Sequence, residues 1–210
     1  MDKPHKKLRP SGGYRKAASF QTATLIYDAT YWFCEKFLDP RSRTVDQMVQ
    51  AARSGRQNIA EGSRASATSS QTELRLVNVA RASLEELLLD YEDFLRHRRL
   101  TLWAPNGPEA AAVRQVASGS NLGDLADQER WMLYAPWLEH AEAAVRANAV
   151  ICLIHQANYL LDRQIAALEE AFIEGGGYTE QLATERLRHR RKADADRTDQ
   201  TDPTNPTDLQ

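Results

Sequence analysis

The chain has 210 residues, a hydrophobic content of 42%, a charged content of 27% and a formal net charge of −2 at pH 7. This length predicts one or two domains with a substantial core, and the composition is typical of a globular chain. The weak net charge excludes a polycation. A membrane-spanning class is excluded too, because no apolar run reaches the ~20 residues that cross a bilayer.

The two halves of the chain differ in charge. Residues 1–100 hold 17 Lys and Arg against 12 Asp and Glu, a net of +5, whereas residues 101–210 hold 10 against 17, a net of −7. The charged N-terminus lacks the apolar run of a signal peptide. Cys34 and Cys152 lie within apolar helical patterns, which predicts buried, reduced thiols. Together these features predict a cytoplasmic protein.

The first predicted helix follows a polar arm. Residues 1–13 are basic and broken by Ser and Gly, so they are predicted to be a disordered arm. Apolar residues at helical spacing then predict a helix over 19–38, with Ser19 as its N-cap. Pro40 ends this helix, since the residue before a proline avoids the helical region.

Two further helices are predicted on either side of a Ser-rich connector. The first runs over 44–61, with Thr44 as N-cap and Gly62 as the residue just past its end. The second runs over 70–98, and its Ser70-x-x-Glu73 pattern is a capping box. The short connector predicts that these two helices are antiparallel.

The stretch 100–139 is interrupted by Pro and Gly and is interpreted as an insert. It predicts short helices at 108–117 and 125–134. Its aromatic residues are expected either to pack against the long helices or to stack on a ligand; they are Trp103, Trp131, Tyr134 and Trp137.

A fourth long helix is predicted over 139–174, before three consecutive glycines. Residues 178–192 predict a short basic helix, and the Asp-, Thr- and Pro-rich stretch 193–210 predicts a disordered tail. The whole pattern predicts an all-α protein, an up-down four-helix bundle over 14–177 with a helical insert and disordered termini. Leu84 and Ile154 are predicted to be buried in its core.

One block of residues carries a family resemblance. Asn58-Ile59-Ala60-Glu61-Gly62, with Ala51–Ser54 before it and Ala80–Leu84 after it, resembles a bacterial four-helix-bundle family. That family includes proteins encoded in intervening sequences of large-subunit ribosomal RNA genes and the accessory variability proteins of diversity-generating retroelements. The similarity covers roughly Tyr14–Arg98, and Asn148–Phe172 resembles the suffix domain of some members.

The resemblance implies an assembly and partners. Relatives that accompany retroelement reverse transcriptases form ring-like homopentamers with a basic surface, and they bind nucleic acid and the polymerase. The chain departs from the family at Ala82, where Gly is common, and at Leu88, where a second Glu is common. These departures affect any ionic network built on those positions.

No catalytic or metal-binding pattern is evident in the residues. There is no Gly-rich phosphate loop. Cys152 and His155 form a lone i, i+3 pair without the second pair that a zinc site needs. Glu61, Glu85 and Glu86 could be imagined as a di-metal carboxylate set, but the Glu-x-x-His motif of such sites is missing. The sequence predicts a non-enzyme without cofactor or metal.

Polar residues beside the apolar stripes form a predicted polar seam. Arg53 and Arg81 suit bidentate pairing with Glu61 or Glu86. We expect the members of this seam to pair between helices or between subunits rather than to form a catalytic site. The predicted polar seam consists of Arg53, Asn58, Glu61, Arg81 and Glu86.

Five arginines are predicted to face solvent on a nucleic-acid-binding surface: Arg56, Arg64, Arg96, Arg98 and Arg99. Such side chains bind phosphate backbones, although solvated surface arginines would give the same pattern. Two functions therefore stay open. The first is a homo-oligomeric, possibly pentameric, nucleic-acid-binding accessory subunit of a reverse-transcriptase system, and the second is an oligomeric adaptor that contacts only proteins.

Overall fold

The protein is all-helical in the residues that the structure, a computed structural model, describes: 13–67, 69–119, 122–175, 183–184 and 186–191. This confirms the all-α part of the predicted fold class. Two short 3-10 turns, Gly13–Lys16 and Leu122–Asp124, accompany the main helices. The six main helices are α1 (Ala18–Phe37), α2 (Arg43–Ala65), α3 (Ser70–His97), α4 (Pro108–Gly119), α5 (Asp127–Leu138) and α6 (Ala143–Gly175).

The predicted N-caps are wrong by one or two residues. The hydroxyl of Ser42 accepts the Thr44 amide at 3.2 Å, and that of Ser69 accepts the Thr72 amide at 3.1 Å, so these serines cap α2 and α3. Ser19 lies inside α1, where it is buried and donates to Gln164 of α6 at 3.3 Å. The Ser19 hydroxyl, which was predicted to cap the helix, therefore makes a contact between α1 and α6 instead.

The predicted end of the second helix is also wrong. Gly62 lies inside α2, which continues to Ala65, and it is buried against α3. A Cβ atom at position 62 would lie 3.4 Å from the Glu73 carbonyl oxygen and 3.5 Å from Cγ2 of Val77. Because Gly62 has no side chain, α2 and α3 pack closely at this point. The glycine therefore serves packing and does not end the helix.

The last long helix begins later than predicted. α5 runs to Leu138, and a turn separates it from α6, which begins at Ala143 instead of residue 139. In this turn the Arg146 Nε donates to the His140 carbonyl at 2.6 Å, and the Glu142 amide donates to His140 Nδ1 at 3.1 Å. The two predicted short helices of the insert are both present, but α4 runs to Gly119 instead of 117, and α5 runs over Asp127–Leu138 instead of 125–134.

Two pairs of long helices, α2 with α3 and α3 with α6, run in opposite directions. Gly55 and Gly62 of α2 face Leu84 and Val77 of α3 respectively, so the residue numbers run in opposite directions along the pair. α3 and α6 behave in the same way, since Arg81 pairs with Asp162 and Glu85 accepts from Asn158. α1 packs against both α2 and α6.

One continuous apolar core joins these helices. Leu84 and Ile154 are both 0% exposed, which confirms that they are core residues. An aromatic group lies in the core between α1 and α3, where the Phe33 ring centroid is 5.0 Å from Tyr91 and 4.8 Å from Phe94. The buried Tyr91 hydroxyl donates to Thr30 at 3.2 Å, so this polar atom is satisfied.

The insert is tied to α6 by a buried asparagine. The side chain of Asn148 accepts the Trp103 amide at 2.8 Å and donates to the Thr101 carbonyl at 2.9 Å. Tyr134 is buried, and the three tryptophans of the insert are half-buried against the core. The packing role predicted for these aromatic residues is therefore observed.

Several predictions fall wholly or partly outside the described residues. Gly13 opens the first 3-10 turn, and the rest of the predicted arm lies outside, as does the predicted tail 193–210. Within the predicted basic helix 178–192, the described residues 183–184 and 186–191 are helical. None of the described helices combines the length and apolar character needed to cross a lipid bilayer.

Candidate functional site

The five arginines predicted to bind nucleic acid do not form one cluster. Arg64 lies near the end of α2, whereas Arg96, Arg98 and Arg99 lie at the end of α3, and the two helices are antiparallel. The end of α3 lies beside the start of α2, so some 22 residues of α2 separate Arg64 from the other three arginines. At a rise of 1.5 Å per residue, this is a distance of roughly 30 Å. The arginines therefore lie at opposite ends of the helix pair.

The cluster at the end of α3 is exposed and shaped by the local backbone. The Arg98 guanidinium lies 4.0 Å from the ring centroid of Phe94, and Arg96 pairs with Asp93. Arg99 has a positive φ of 56°, and the next amide, that of Leu100, returns to the Leu95 carbonyl at 2.9 Å. This left-handed residue turns the chain away from the helix and leaves the side chain in solvent.

Two more exposed arginines belong to the same end of the molecule. Arg41 and Arg43 lie at the start of α2, which the antiparallel pairing places beside the end of α3. Asp39, Asp46 and Asp93 also lie there, as do Glu35 and Lys36 in the last turn of α1, so acidic groups stand among the arginines. We call this group the basic end; it consists of Arg41, Arg43, Arg96, Arg98 and Arg99.

The other two predicted arginines make structural contacts. The half-buried Arg56 guanidinium lies 4.1 Å from the ring centroid of Tyr27 on α1. Arg64 lies 5.6 Å from the Tyr14 ring centroid and donates to the Tyr14 hydroxyl at 3.4 Å. Both cations hold α2 against the N-terminal part of the chain through cation–π contacts.

Within one chain, only part of the predicted polar seam forms ion pairs or hydrogen bonds. Arg81 pairs with Asp162 of α6 instead of Glu61 or Glu86, because its side of α3 faces α6. Arg53, Glu61 and Glu86 are exposed and form no ion pair among the described residues. Pairing of these three between subunits stays a prediction.

A small hydrogen-bond network takes the place of the predicted ionic seam between α2 and α3. The Ser54 and Ser83 hydroxyls lie 2.9 Å apart across the helix pair. Asn58 donates to the Ser54 carbonyl at 2.9 Å and to its hydroxyl at 3.1 Å, which orients that group. Neutral hydroxyls suit this buried position because they satisfy one another, whereas an unpaired buried charge would be costly.

The thiols have the environment expected from the sequence. Cys34 and Cys152 are free and buried. Burial, followed by the charge of Asp90, raises the pKa of the Cys34 thiol to about 12. Burial also raises the pKa of Cys152, against the opposing effect of Arg114. Both are therefore protonated at neutral pH and are poor nucleophiles. Among the described residues, no three His, Cys, Asp or Glu side chains gather in a way that could hold a metal ion.

A large cavity lies between α6 and the insert, and sequence reasoning missed it. Its volume is about 840 Å³, within the range usual for small-molecule sites. Residues far apart in sequence meet here, so no local pattern predicts it. The main apolar wall consists of Leu102, Trp103, Ala110, Ala117, Ile151 and Leu160.

A buried cation, Arg130, lines the same cavity. Its side chain is nearly inaccessible, with the residue 3% exposed. Its Nη1 atom donates to Asp127 at 2.7 Å, and its Nη2 atom donates to the Leu122 and Leu125 carbonyls at 3.0 and 2.7 Å. Its Nε atom is buried without a hydrogen-bond partner in the part of the chain that the structure describes. One donor of this guanidinium is therefore left unsatisfied there.

No protein-family model matches the chain, and neither a curated protein nor a solved structure matches it. The family resemblance described from the sequence accordingly stays a prediction.

Proposed function

We propose that this chain is a non-catalytic scaffold that binds nucleic acid as a homo-oligomer. The observation that carries the proposal is the basic end, where exposed arginines from two helices converge. Arginine forks on a rigid helix end are suited to phosphate oxygens, and such contacts supply affinity without base specificity. Arg56 and Arg64 are left out of this surface because they lie away from the end of α3: Arg56 is half-buried against Tyr27, and Arg64 lies near the opposite end of α2.

The architecture proposed for the scaffold is an up-down four-helix bundle of α1, α2, α3 and α6. Its support is the antiparallel arrangement of α2 with α3 and of α3 with α6. The contacts of α1 agree, since Arg56 meets Tyr27 and Arg64 meets Tyr14 in reverse order. In this architecture α4 and α5 pack outside the four long helices.

An exposed stripe on α3 supports self-association. Val79 and Leu89 are 41% and 56% exposed, and Ala82 and Glu86 lie between them on the same outer face. This spacing of three and four residues is that of a helix seam. The exposed charges of Arg53, Glu61 and Glu86 have no ion-pair partner among the described residues, and Arg53 of one copy would pair with Glu61 or Glu86 of another.

The resemblance noted in the sequence supports a particular assembly and partner. It favours a ring of five copies beside a reverse transcriptase. A ring repeats the basic end, so one strand that reaches several copies would bind with avidity. A protein-only adaptor, the other function left open by the sequence, would use the α3 stripe without the basic end.

Nucleic-acid binding is tested by titrating RNA and DNA at several salt concentrations. The test variant combines Arg96→Gln, Arg98→Gln and Arg99→Asn; asparagine tolerates the positive φ at position 99. The control removes the same charge elsewhere with Lys16→Gln, Arg75→Gln and Arg163→Gln, all at exposed positions. We expect the test variant to lose affinity and about one unit of log–log salt slope for each phosphate contact removed. Equal losses in both variants, or no binding at low salt, would refute the proposal.

Assembly is tested by light scattering in physiological salt, where one chain has a mass of 23.7 kDa. We expect the native chain to give a multiple of this mass, five for the proposed ring. Leu89→Lys should shift it toward the monomer. Met132→Lys, which places the same charge on another exposed apolar residue, should leave the mass unchanged. A monomeric native chain would remove the ring and the avidity argument.

A further inference from the structure

We propose that the cavity between α6 and the insert binds one neutral, extended and largely apolar molecule, such as a straight-chain alcohol. This site is separate from the basic end and does not depend on nucleic-acid binding. At about 840 Å³, the cavity has the volume of a small-molecule site. Its length, its apolar walls and the pairing of its charged groups together define the ligand.

The cavity extends along the axis of α6. The α6 residues that line it run from Asn148 to Leu160, and these 12 positions rise by about 18 Å at 1.5 Å per residue. α4 packs against α6 and contributes Ala110, Ala117 and Ser118 to the lining. A space that follows two packed helices suits an extended chain better than a compact molecule.

The walls of the cavity are mainly apolar. Ala110 and Ile151 are buried there, and the half-buried indole of Trp103 also lines the space. Leu102 and Tyr159 belong to the same lining but are 49% and 61% exposed. A ligand that covers these side chains would remove apolar surface from water, and this removal is the main source of affinity in such a site.

The buried amide side chains of the lining are engaged within the chain. Asn148 bonds to the backbone of the insert and to its own helix. The Gln21 Nε2 atom donates to the carbonyls of Arg15 and Gly123, both at 3.0 Å. These bonds hold the walls together, so the donors do not call for a strongly polar ligand.

The charged groups of the lining are opposed in pairs. Arg130 donates to Asp127 at 2.7 Å and to two backbone carbonyls, and its Nε atom is too deeply buried to be reached from the cavity. Arg114 of α4 is opposed by Glu92 of α3. A charged ligand would lose hydration here without gaining an uncompensated partner, and a neutral ligand avoids this cost.

The polar side chains of α6 at the cavity can bind one uncharged head group. They are His155, Gln156 and Tyr159, and they make no hydrogen bond to another residue within the part of the chain that the structure describes. Each of these side chains can donate to or accept from a hydroxyl. An alcohol with its hydroxyl at these residues and its chain along α6 therefore meets suitable chemistry at both ends.

The test measures the binding of octan-1-ol, octanoate and octylammonium to the full chain by calorimetry at about pH 7, where the last two are charged. The three probes share one tail and differ in the charge of the head group. We expect one octan-1-ol per chain, bound at least about tenfold more tightly than either ion. No saturable binding of octan-1-ol up to its solubility limit, or an ion that binds as tightly, overturns the proposal.

Matched variants locate the site. Ala117→Trp on α4 and Leu160→Trp on α6 each place an indole at the cavity and should weaken octan-1-ol at least about tenfold. Ala166→Trp, at an exposed position of α6 outside the cavity, should leave its affinity unchanged. Melting curves check that each variant is folded, and the two cavity variants come from different helices. Unchanged binding in a folded cavity variant, or an equal loss in Ala166→Trp, overturns the site.

Discussion

Gly55 of α2 faces Leu84 of α3 so closely that no side chain fits between them. A Cβ atom at position 55 would lie 2.7 Å from Cδ2 of Leu84 and 2.9 Å from its Cγ. Leu84 is completely buried and cannot swing into solvent. This contact sets the spacing of the two helices and brings Ser54 within hydrogen-bond distance of Ser83.

Gly55→Ala should therefore destabilise the protein. Alanine improves helix propensity by about 1 kcal/mol, but overpacking a core typically costs about 1–3 kcal/mol. We expect a net loss of roughly 1 kcal/mol in the free energy of unfolding, measured with urea. Gly62→Ala is the control: its Cβ atom would meet its nearest neighbours at 3.4 Å, so it should be neutral or slightly stabilising. A stabilised Gly55→Ala would mean that Leu84 can move aside.

The core residues predicted from the sequence give a second test. Leu84→Ala and Ile154→Ala remove fully buried side chains from α3 and α6. Each should lower the free energy of unfolding by about 2–5 kcal/mol through lost burial and a residual cavity. Met132→Ala, at a 62% exposed position of α5, should change it by less than about 0.5 kcal/mol. Equal effects at positions 84 and 132 would contradict the burial of Leu84.

Arg81→Ala should have only a small effect on the stability of the isolated chain. Its side chain and that of Asp162 are 40% and 53% exposed, so water screens their ion pair. Exposed pairs contribute about 0–1 kcal/mol, and a double-mutant cycle with Asp162→Ala should return a coupling energy in that range. A coupling above about 2 kcal/mol would imply that an assembled state buries the pair.

Asp90 should make stability depend on pH. Burial, followed by the charges of Asp93 and Glu86, raises its pKa above the ordinary value of 3.8. The folded state therefore holds this proton more tightly, so the contribution of Asp90 is greatest in acid and is lost as pH rises through the raised pKa. Asp90→Asn should gain stability relative to the native chain as pH rises from about 3.5 to about 7. The substitution removes the repulsion of Asp90 with Asp93 and with Glu86, and each such like-charge pair destabilises a helix by about 0.2–0.5 kcal/mol.

The measurement is the difference in unfolding free energy between the Asp90→Asn variant and the native chain across that pH range. Glu169→Gln, at an exposed position of α6, is the matched control for removing one carboxylate. A difference for Asp90→Asn that stays flat with pH, or that falls as pH rises, would contradict the direction inferred for its pKa.

The sequence by itself determined the helices and most of the core. Apolar spacing depends only on local geometry, and long amphipathic stripes are readable without knowing their partners. Leu84 and Ile154 are therefore correctly placed inside, and the two short helices of the insert are recognisable between the Pro and Gly breaks. The position of the arginines at helix ends is likewise a local property.

Only the tertiary structure decided what each polar or small residue contacts. Gly62 is of a residue type that often ends a helix, but close packing against α3 places it inside α2. Arg81 pairs with Asp162, which is 81 positions away in the sequence. Arg130 donates to the carbonyls of Leu122 and Leu125, which precede α5, beside the cavity between α6 and the insert. Such pairings depend on the relative rotation and separation of whole helices, which packing of the shared core sets and no local pattern encodes.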